Sequence, residues 1–118
     1  MVNVVFCGDR GTLIGLHTAV RSMLEFAMRP DDLRLFFLVS DFTSGDKASI
    51  KRTVDLSGSS PTLAFVDFDR EKIEKLPKFR GGQMTYARLY IASLLEIPRC
   101  IYLDYDLIVQ ADVCELYD

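Results

Sequence analysis

The sequence predicts an α/β fold in which a mainly parallel sheet is covered by helices on both faces. Short apolar runs rich in valine, isoleucine and phenylalanine alternate with longer segments whose apolar residues recur every three or four positions. Glycine, proline and paired aspartates separate these segments, so the order reads β-α-β-α-β-α-β. In this order each helix forms a right-handed crossover between two strands, and such crossovers build a parallel sheet. Ligands bind to these sheets in a crevice at the carboxyl ends of the strands.

Four apolar runs predict buried strands. They cover residues 2–7, 33–40, 63–69 and 100–103. A helix is predicted between the first two strands, because its apolar residues form one stripe at helical spacing. The members of this stripe are Leu13, Leu16, Val20, Met23, Leu24 and Ala27.

Two further helices are predicted from weaker patterns. Thr43 opens a Thr-x-x-Asp capping box, and the helix behind it has only Ile50 and Val54 on its inner side. The paired glycines at 81–82 open a loop that leads into a third helix over residues 84–95, just before the last strand.

The composition is that of an ordinary globular protein. Of the 118 residues, 49% are hydrophobic and 26% charged, which excludes a disordered chain and predicts one domain over residues 1–118. The net charge of −3 argues against a nucleic-acid-binding surface, and no apolar run approaches the roughly 20 residues that span a bilayer. Three cysteines without metal-ligand spacing predict reduced thiols in a cytoplasmic protein that has no signal peptide.

Asp104 and Asp106 are the strongest candidates for chemistry. They lie between the apolar runs 101–103 and 107–109. In an extended chain residues two apart point the same way, so both carboxylates can face one point. Like charges this close repel unless a cation lies between them, and the hard cations Mn²⁺ and Mg²⁺ bind oxygen ligands that include substrate phosphates. The alternative is a pair of turn carboxylates, although turns seldom lie so tightly between two buried runs.

Three other positions carry side chains that could bind a ligand. The loop 8–11 follows the first strand, where nucleotides are met, and Asp9 suits a base imide or a ribose hydroxyl. A tight turn that needs its glycines is the alternative, because no dinucleotide or P-loop motif is present. Arg88 carries a planar fork that matches phosphate or sugar oxygens. The alternative is a solvated arginine or a surface ion pair, which its apolar sequence neighbours make less favoured. His17, the only histidine, lies away from the apolar stripe and is predicted to be exposed.

Four segments carry a more specific pattern when they are taken together. They are residues 4–9 (VVFCGD), 84–89 (MTYARL), 101–109 (IYLDYDLIV) and 116–118 (LYD). In this combination they closely resemble glycosyltransferase family 8, a group of retaining, metal-dependent enzymes that includes lipooligosaccharide galactosyltransferases and glycogenin. The resemblance covers all 118 residues. It implies a Rossmann-like three-layer α/β/α fold of the nucleotide-diphospho-sugar transferase type, truncated after the Asp-x-Asp strand.

The resemblance also implies roles for individual residues. Asp9 would meet the uracil of a UDP-sugar, Arg88 would contact the donor sugar and diphosphate, and Asp104 and Asp106 would hold Mn²⁺ or Mg²⁺. The implied nucleotide-sugar contacts are Phe6, Cys7, Gly8, Asp9, Arg88, Asp104, Tyr105 and Asp106. The catalytic residue and a third metal ligand, a histidine in the family, are expected beyond Asp118.

The resemblance thus implies the donor-binding half of a longer enzyme whose acceptor-binding half is absent. The full-length protein would transfer a hexose, glucose or galactose, to a saccharide or lipid-linked acceptor of lipopolysaccharide biosynthesis. It would be cytoplasmic, or peripheral at the inner membrane face. Self-association is expected through the truncated end, where residues 107–109 would be exposed. The alternatives are a non-catalytic nucleotide- or metal-binding module and, less favoured, a haloacid dehalogenase-type phosphatase, which carries Asp-x-Asp on its first strand.

Overall fold

The computed structural model contains one sheet of four parallel strands and describes residues 1–77 and 84–118, apart from the side chain of Thr85. The strands are β1 (Val2–Asp9), β2 (Leu33–Ser40), β3 (Thr62–Asp67) and β4 (Ile101–Leu103). They lie in the order β3-β2-β1-β4, and each pair is parallel. The predicted α/β sheet is therefore confirmed. The loop predicted at 81–82 lies outside the described residues.

The strand order reverses between β1 and β4, and this reversal determines where a ligand can bind. The chain extends the sheet from β1 through β2 to β3, and β4 then returns to the other side of β1. Val4 pairs with Ile101 and Phe6 with Leu103, so β4 ends beside Phe6 and the loop that follows β4 runs beside the last residues of β1. The loops that follow these two strands consequently face the same crevice at the carboxyl edge of the sheet.

Helices cover both faces of the sheet, which confirms the three-layer α/β/α prediction. They are α1 (Leu13–Phe26), α2 (Ser44–Leu56), α3 (Ile91–Leu94) and α4 (Val113–Tyr117), with 3₁₀ turns at Arg10–Thr12, Pro30–Asp32, Arg70–Lys72 and Met84–Tyr90. Alternate residues of β1 enter different cores. Val4 and Phe6 pack with residues of α1 and α2, whereas Val5 and Cys7 pack on the face covered by residues 84–95.

The second helix begins at the predicted capping box. The Thr43 backbone N–H donates to Asp46 Oδ2 at 2.9 Å, and the Asp46 N–H donates to Thr43 Oγ1 at 3.0 Å. Ile50 and Val54 are the apolar residues that α2 buries, as the sequence predicts. In the described part of the chain, none of the helices has the length and apolar character needed to cross a bilayer.

The segment before β4 differs from the predicted continuous α-helix. Residues Met84–Tyr90 form a 3₁₀ helix, and only Ile91–Leu94 is α-helical. In 3₁₀ geometry residues three apart share one face. Met84 and Ala87 are buried against the sheet at this spacing, and Arg88 is exposed next to them. The apolar spacing of the segment fits a helix of either kind, so the sequence pattern could not tell them apart.

The apolar run at 107–109 has the composition of a strand but does not form one. Leu107 and Val109 pack against the core, whereas Ile108 is 65% exposed. The Val109 N–H donates to Ser22 Oγ of α1 at 2.9 Å. A helix side chain therefore satisfies a backbone group that a neighbouring strand would otherwise bond.

The prediction that His17 is exposed is wrong. Its Nδ1 lies 2.7 Å from Thr53 Oγ1 and its Nε2 lies 3.3 Å from Ser49 Oγ, so the imidazole connects α1 to α2. The ring is partly buried, and this burial lowers the pKa of His17 below its usual range. The covering residues of α2 carry hydroxyls rather than apolar groups, which is why no hydrophobic pattern indicates the contact.

Acidification is expected to destabilise the protein through His17. Because the folded state takes up this proton at lower pH than the unfolded chain, the unfolded state binds more protons once the pH falls below about 6.5. The stability contribution is fully present at higher pH and is lost as the pH falls through the lowered pKa of the folded state. Thermal unfolding of the wild type and of His17→Gln between about pH 8 and about pH 5 measures this loss. The wild-type Tm should decline relative to that of the variant, and parallel curves would contradict the assignment.

Candidate functional site

Carboxylates collect along the carboxyl edge of the sheet. Asp9 ends β1, Asp41 follows β2, Asp67 ends β3 and Asp104 follows β4. Since the strands are parallel neighbours, their carboxyl ends form one continuous edge. An anionic ligand that binds here needs a cation or an arginine beside these carboxylates.

The loop that carries Asp104 and Asp106 packs against the first turn of α1. A Cβ on Gly15 would overlap the backbone carbonyl oxygen of Tyr105 and would lie 3.1 Å from its ring. Glycine at this position therefore permits a close approach between helix and loop. The contact brings the Asp-x-Asp loop over the helix that directly follows the Asp9 loop, as expected if β1 and β4 are neighbours.

Asp104 and Asp106 fit a hard cation by their chemistry. Both residues are exposed, and carboxylate oxygens are the ligands that Mn²⁺ and Mg²⁺ prefer. Within residues 1–77 and 84–118, however, no group of three or more His, Cys, Asp or Glu side chains lies together as a metal site. A cation held by the two aspartates would therefore take further ligands from water, from substrate phosphates or from residues outside these ranges.

Tyr102 connects Asp104 to the buried side of the site. The two residues are two positions apart along the chain, so their side chains lie on the same side of the strand direction. The guanidinium carbon of Arg88 lies 5.5 Å from the centre of the Tyr102 ring. Burial raises the pKa of Tyr102, and the neighbouring Cys7 and Asp104 raise it further. The hydroxyl consequently keeps its proton and is a hydrogen-bond donor beside Asp104.

Phe6 and Cys7 contribute their side chains to the core rather than to the crevice. They are 0% and 2% exposed. Burial raises the pKa of Cys7 to about 12, although the neighbouring Tyr102 acts in the opposite direction. The thiol is therefore protonated and has no nucleophilic or thiolate-ligand character. A nucleotide contact by either residue stays a prediction, and it would have to use backbone atoms.

Asp9 is held in place by the turn that follows it. Its backbone N–H donates to Thr12 Oγ1 at 3.1 Å, and the Thr12 hydroxyl donates to the Asp9 carbonyl at 2.8 Å. Gly8 makes room for this arrangement, because a Cβ there would overlap Thr12 Oγ1. The Asp9 side chain remains 22% exposed, and Nη1 of Arg70 lies 3.8 Å from its Oδ2. The Asp9 carboxylate is therefore an ordered hydrogen-bond acceptor at the end of β1, one of the two inner strands.

Arg10, the neighbour of Asp9, is paired with α2. Its Nε lies 3.0 Å from Asp46 Oδ2. The backbone N–H of Thr43, with a smaller contribution from Arg10, lowers the pKa of Asp46. This pair anchors the turn after β1 to the second helix.

Sequence reasoning missed three residues of this edge: Gly15, Arg70 and Tyr102. Tyr102 could have been found from the two-residue period of strands, which places it on the same side as Asp104. Gly15 could have been noticed because glycine inside a helix is unfavourable and often marks a close contact. Arg70 has no local signal, since its partners follow other strands.

Comparison with known proteins now assigns the family. A profile described as "Glycosyl transferase family 8" matches residues 3–118. The chain belongs to glycosyltransferase family 8. A family relative from Arabidopsis thaliana, named "Probable galacturonosyltransferase-like 5", is 32% identical over 124 residues, which cover 99% of this chain and 34% of that protein. "Glycosyltransferase 8 domain-containing protein 1" of Xenopus tropicalis is 30% identical over 124 residues, or 99% of this chain and 32% of that protein.

Solved structures agree with this assignment at the level of the fold. An active-site mutant of LgtC superposes with a TM-score of 0.85 at 23% identity, over 99% of this family 8 chain and 42% of LgtC. GlyE from Streptococcus pneumoniae TIGR4 has a TM-score of 0.72 at 24% identity, over 100% of this chain and 27% of GlyE. The chain thus spans about a third of the length of its curated relatives.

Proposed function

We propose that this family 8 chain is the donor-binding part of a metal-dependent, retaining glycosyltransferase that takes a hexose from a UDP-sugar. The observation that carries the proposal is the meeting of two loops at the strand-order reversal. The Asp9 loop follows β1, and the exposed Asp104 and Asp106 follow β4, which pairs with β1. The family assignment supports glycosyl transfer, and a relative in fold, the galactosyltransferase LgtC, has been solved with donor and acceptor sugar analogues.

Each group at the crevice has a proposed task. Asp9 accepts a hydrogen bond from the uracil imide, because a carboxylate is an acceptor only. Asp104 and Asp106 hold Mn²⁺ or Mg²⁺, and the bound cation would supply Lewis-acid stabilisation of the UDP leaving group. Arg88 is exposed beside Tyr102 and adds positive charge on the diphosphate side. Tyr102 orients Asp104 through its hydroxyl.

The acceptor and the cellular setting are proposed at a coarser level. A saccharide or a lipid-linked saccharide is the acceptor class, and the cytoplasm is the proposed location. Self-association through the β4 end also stays a proposal. In the described residues β4 pairs with β1 alone, and the exposed Ile108 lies a few residues beyond it.

The test of base recognition compares UDP with CDP in the presence of Mn²⁺. Cytosine presents an acceptor where uracil presents its imide N–H, so Asp9 would be left unpaired, at a cost of about 1–3 kcal/mol. We expect calorimetry to show UDP binding about tenfold or more tighter than CDP, and Asp9→Asn to reduce this preference. Glu25→Gln, which removes a carboxylate from the exposed side of α1, is the matched control. Equal affinity of the wild type for the two nucleotides would refute the role of Asp9.

A further inference from the structure

One arginine spans the carboxyl edge from β3 to β1. Arg70 begins the 3₁₀ turn Arg70–Lys72, three residues after the end of β3. Its Nη1 lies 3.1 Å from Oδ2 of Asp41, which follows β2, and 3.8 Å from Oδ2 of Asp9, which ends β1. A single nitrogen of Arg70, which follows β3, therefore contacts carboxylates at the carboxyl ends of the two neighbouring strands, β2 and β1.

The backbone on both sides of Arg70 is fixed. The Phe68 N–H donates to the Val39 carbonyl at 2.8 Å, which continues the pairing of β3 with β2 beyond the end of the strand. Phe68 is also buried, and its ring lies 5.4 Å from that of Tyr90. Asp69 then caps the turn by accepting the Glu71 N–H at 2.9 Å. The Arg70 side chain thus starts from an ordered position, two residues from a core anchor.

Asp41 has an unusual backbone at the other end of this ion pair. Its φ is +62°, in the left-handed region that favours glycine. Among the residues that the structure describes, Asp41 is the one residue other than glycine that has a positive φ. Aspartate tolerates this region better than most residues, and strained positions often occur at functional sites. In this conformation the Asp41 carboxylate contacts Arg70, although the Asp41 side chain is 68% exposed.

We infer that Arg70 is a positioning residue that holds the Asp9 carboxylate in the orientation that recognises the nucleotide base, with Asp41 holding Arg70 in turn. The inference rests on the proposed function of Asp9. Arg70 is 36% exposed and Asp41 is 68% exposed, so this pairing contributes little to stability in water. Its effect is expected at Asp9, the less exposed partner, because one fixed positive charge keeps the carboxylate from turning toward solvent.

Arg70 could also compete with the base for Asp9, and the two roles predict opposite effects on UDP binding. If Arg70 occupied Asp9 in competition with the base, removing the arginine would free the carboxylate and tighten UDP binding. If Arg70 positions Asp9, its removal weakens the preference for uracil while the metal site, which lies after β4, keeps its effect on affinity.

The experiment measures UDP and CDP affinities by calorimetry with Mn²⁺ and with EDTA, for the wild type, Arg70→Gln and Arg70→Lys. We expect Arg70→Gln to reduce the UDP preference about tenfold (roughly 1.4 kcal/mol) and to leave the Mn²⁺ dependence unchanged. Arg70→Lys should restore part of the preference, because it keeps the charge but not the planar fork. Lys51→Gln, which removes an exposed positive charge from α2, is the matched control.

Asp41→Gly tests the same role of Arg70 even if the Arg70→Gln protein does not fold. Glycine accepts the positive φ without strain but lacks the carboxylate, so we expect a reduced UDP preference with no loss of Tm. An unchanged preference in the folded Arg70→Gln protein, or tighter UDP binding, would overturn the positioning role alone. Absence of UDP binding to the wild type would instead overturn the proposed function, and the inference with it.

Discussion

Replacing Gly15 by alanine is expected to displace the loop that carries Asp104 and Asp106 and to destabilise the protein. The added Cβ would overlap the carbonyl oxygen of Tyr105, and this oxygen belongs to backbone rather than to a side chain that could rotate away. Overpacking of this kind costs about 1–3 kcal/mol. It opposes the gain of about 1 kcal/mol that alanine normally brings to a helix interior. Urea unfolding measures the net loss, and UDP binding with Mn²⁺ should weaken in parallel.

Gly45→Ala is the matched control for this change. Gly45 lies in the first turn of α2, where the nearest atom to a new Cβ is Thr43 Oγ1 at 3.6 Å, an ordinary contact. Stability should remain the same or rise by at most about 1 kcal/mol. A Gly15→Ala protein that is as stable as Gly45→Ala and binds UDP like the wild type would show that the close approach is not required.

The second large effect is expected for Asp106→Asn, which should abolish the dependence of UDP binding on metal. Asparagine keeps the size of the side chain but removes the negative charge that attracts a divalent cation. For the wild type we expect Mn²⁺ to tighten UDP binding at least about tenfold relative to EDTA, or ~1.4 kcal/mol. Because Asp106 is exposed, the free energy of unfolding should change by no more than about 0.5 kcal/mol.

Asp55→Asn controls for the loss of one negative charge. Asp55 lies on the exposed side of α2, so its replacement should leave the Mn²⁺ effect on UDP binding at the wild-type level. Equal UDP affinity of the wild type in Mn²⁺ and in EDTA would argue against the metal assignment. If Asp106→Asn keeps the full Mn²⁺ effect, the cation must be held by other groups.

Strand positions could be predicted well from the sequence because the strands of a covered parallel sheet read as continuous apolar runs. Residues 33–40 coincide with β2, and residues 2–7 lie inside β1. The run 107–109 shows the limit of this reasoning. Its composition is that of a strand, but its backbone is satisfied in part by Ser22 of α1 rather than by a neighbouring strand. Apolar composition reports burial, whereas the hydrogen-bond partner depends on tertiary structure.

The candidate site divides in the same way. Asp9, Asp104 and Asp106 could be proposed because each lies shortly after the end of a predicted strand, where ligands bind in parallel sheets. Arg70 could not, because its importance comes from contacts with residues at the ends of other strands. The strand period places Tyr102 on the side of Asp104, but it gives no sign of the contact between Tyr102 and Arg88. His17 was misjudged for a related reason, since its partners on α2 are hydroxyl groups. Polar contacts between distant elements leave no periodic signal in the sequence.

The position of β1 between β2 and β4 has a consequence for the order in which the protein assembles. β1, β2 and β3 are consecutive along the chain, but Asn3 of β1 donates to the Arg99 carbonyl and to the Tyr117 hydroxyl, across 96 and 114 residues. Contacts of such sequence separation form late, because long loops must close first. During synthesis, the part of the sheet that carries Asp9 is therefore present before Asp104 and Asp106 reach it. We expect nucleotide affinity in the presence of Mn²⁺ to report the docking of β4 on β1, and we expect bound UDP to favour the docked state by mass action.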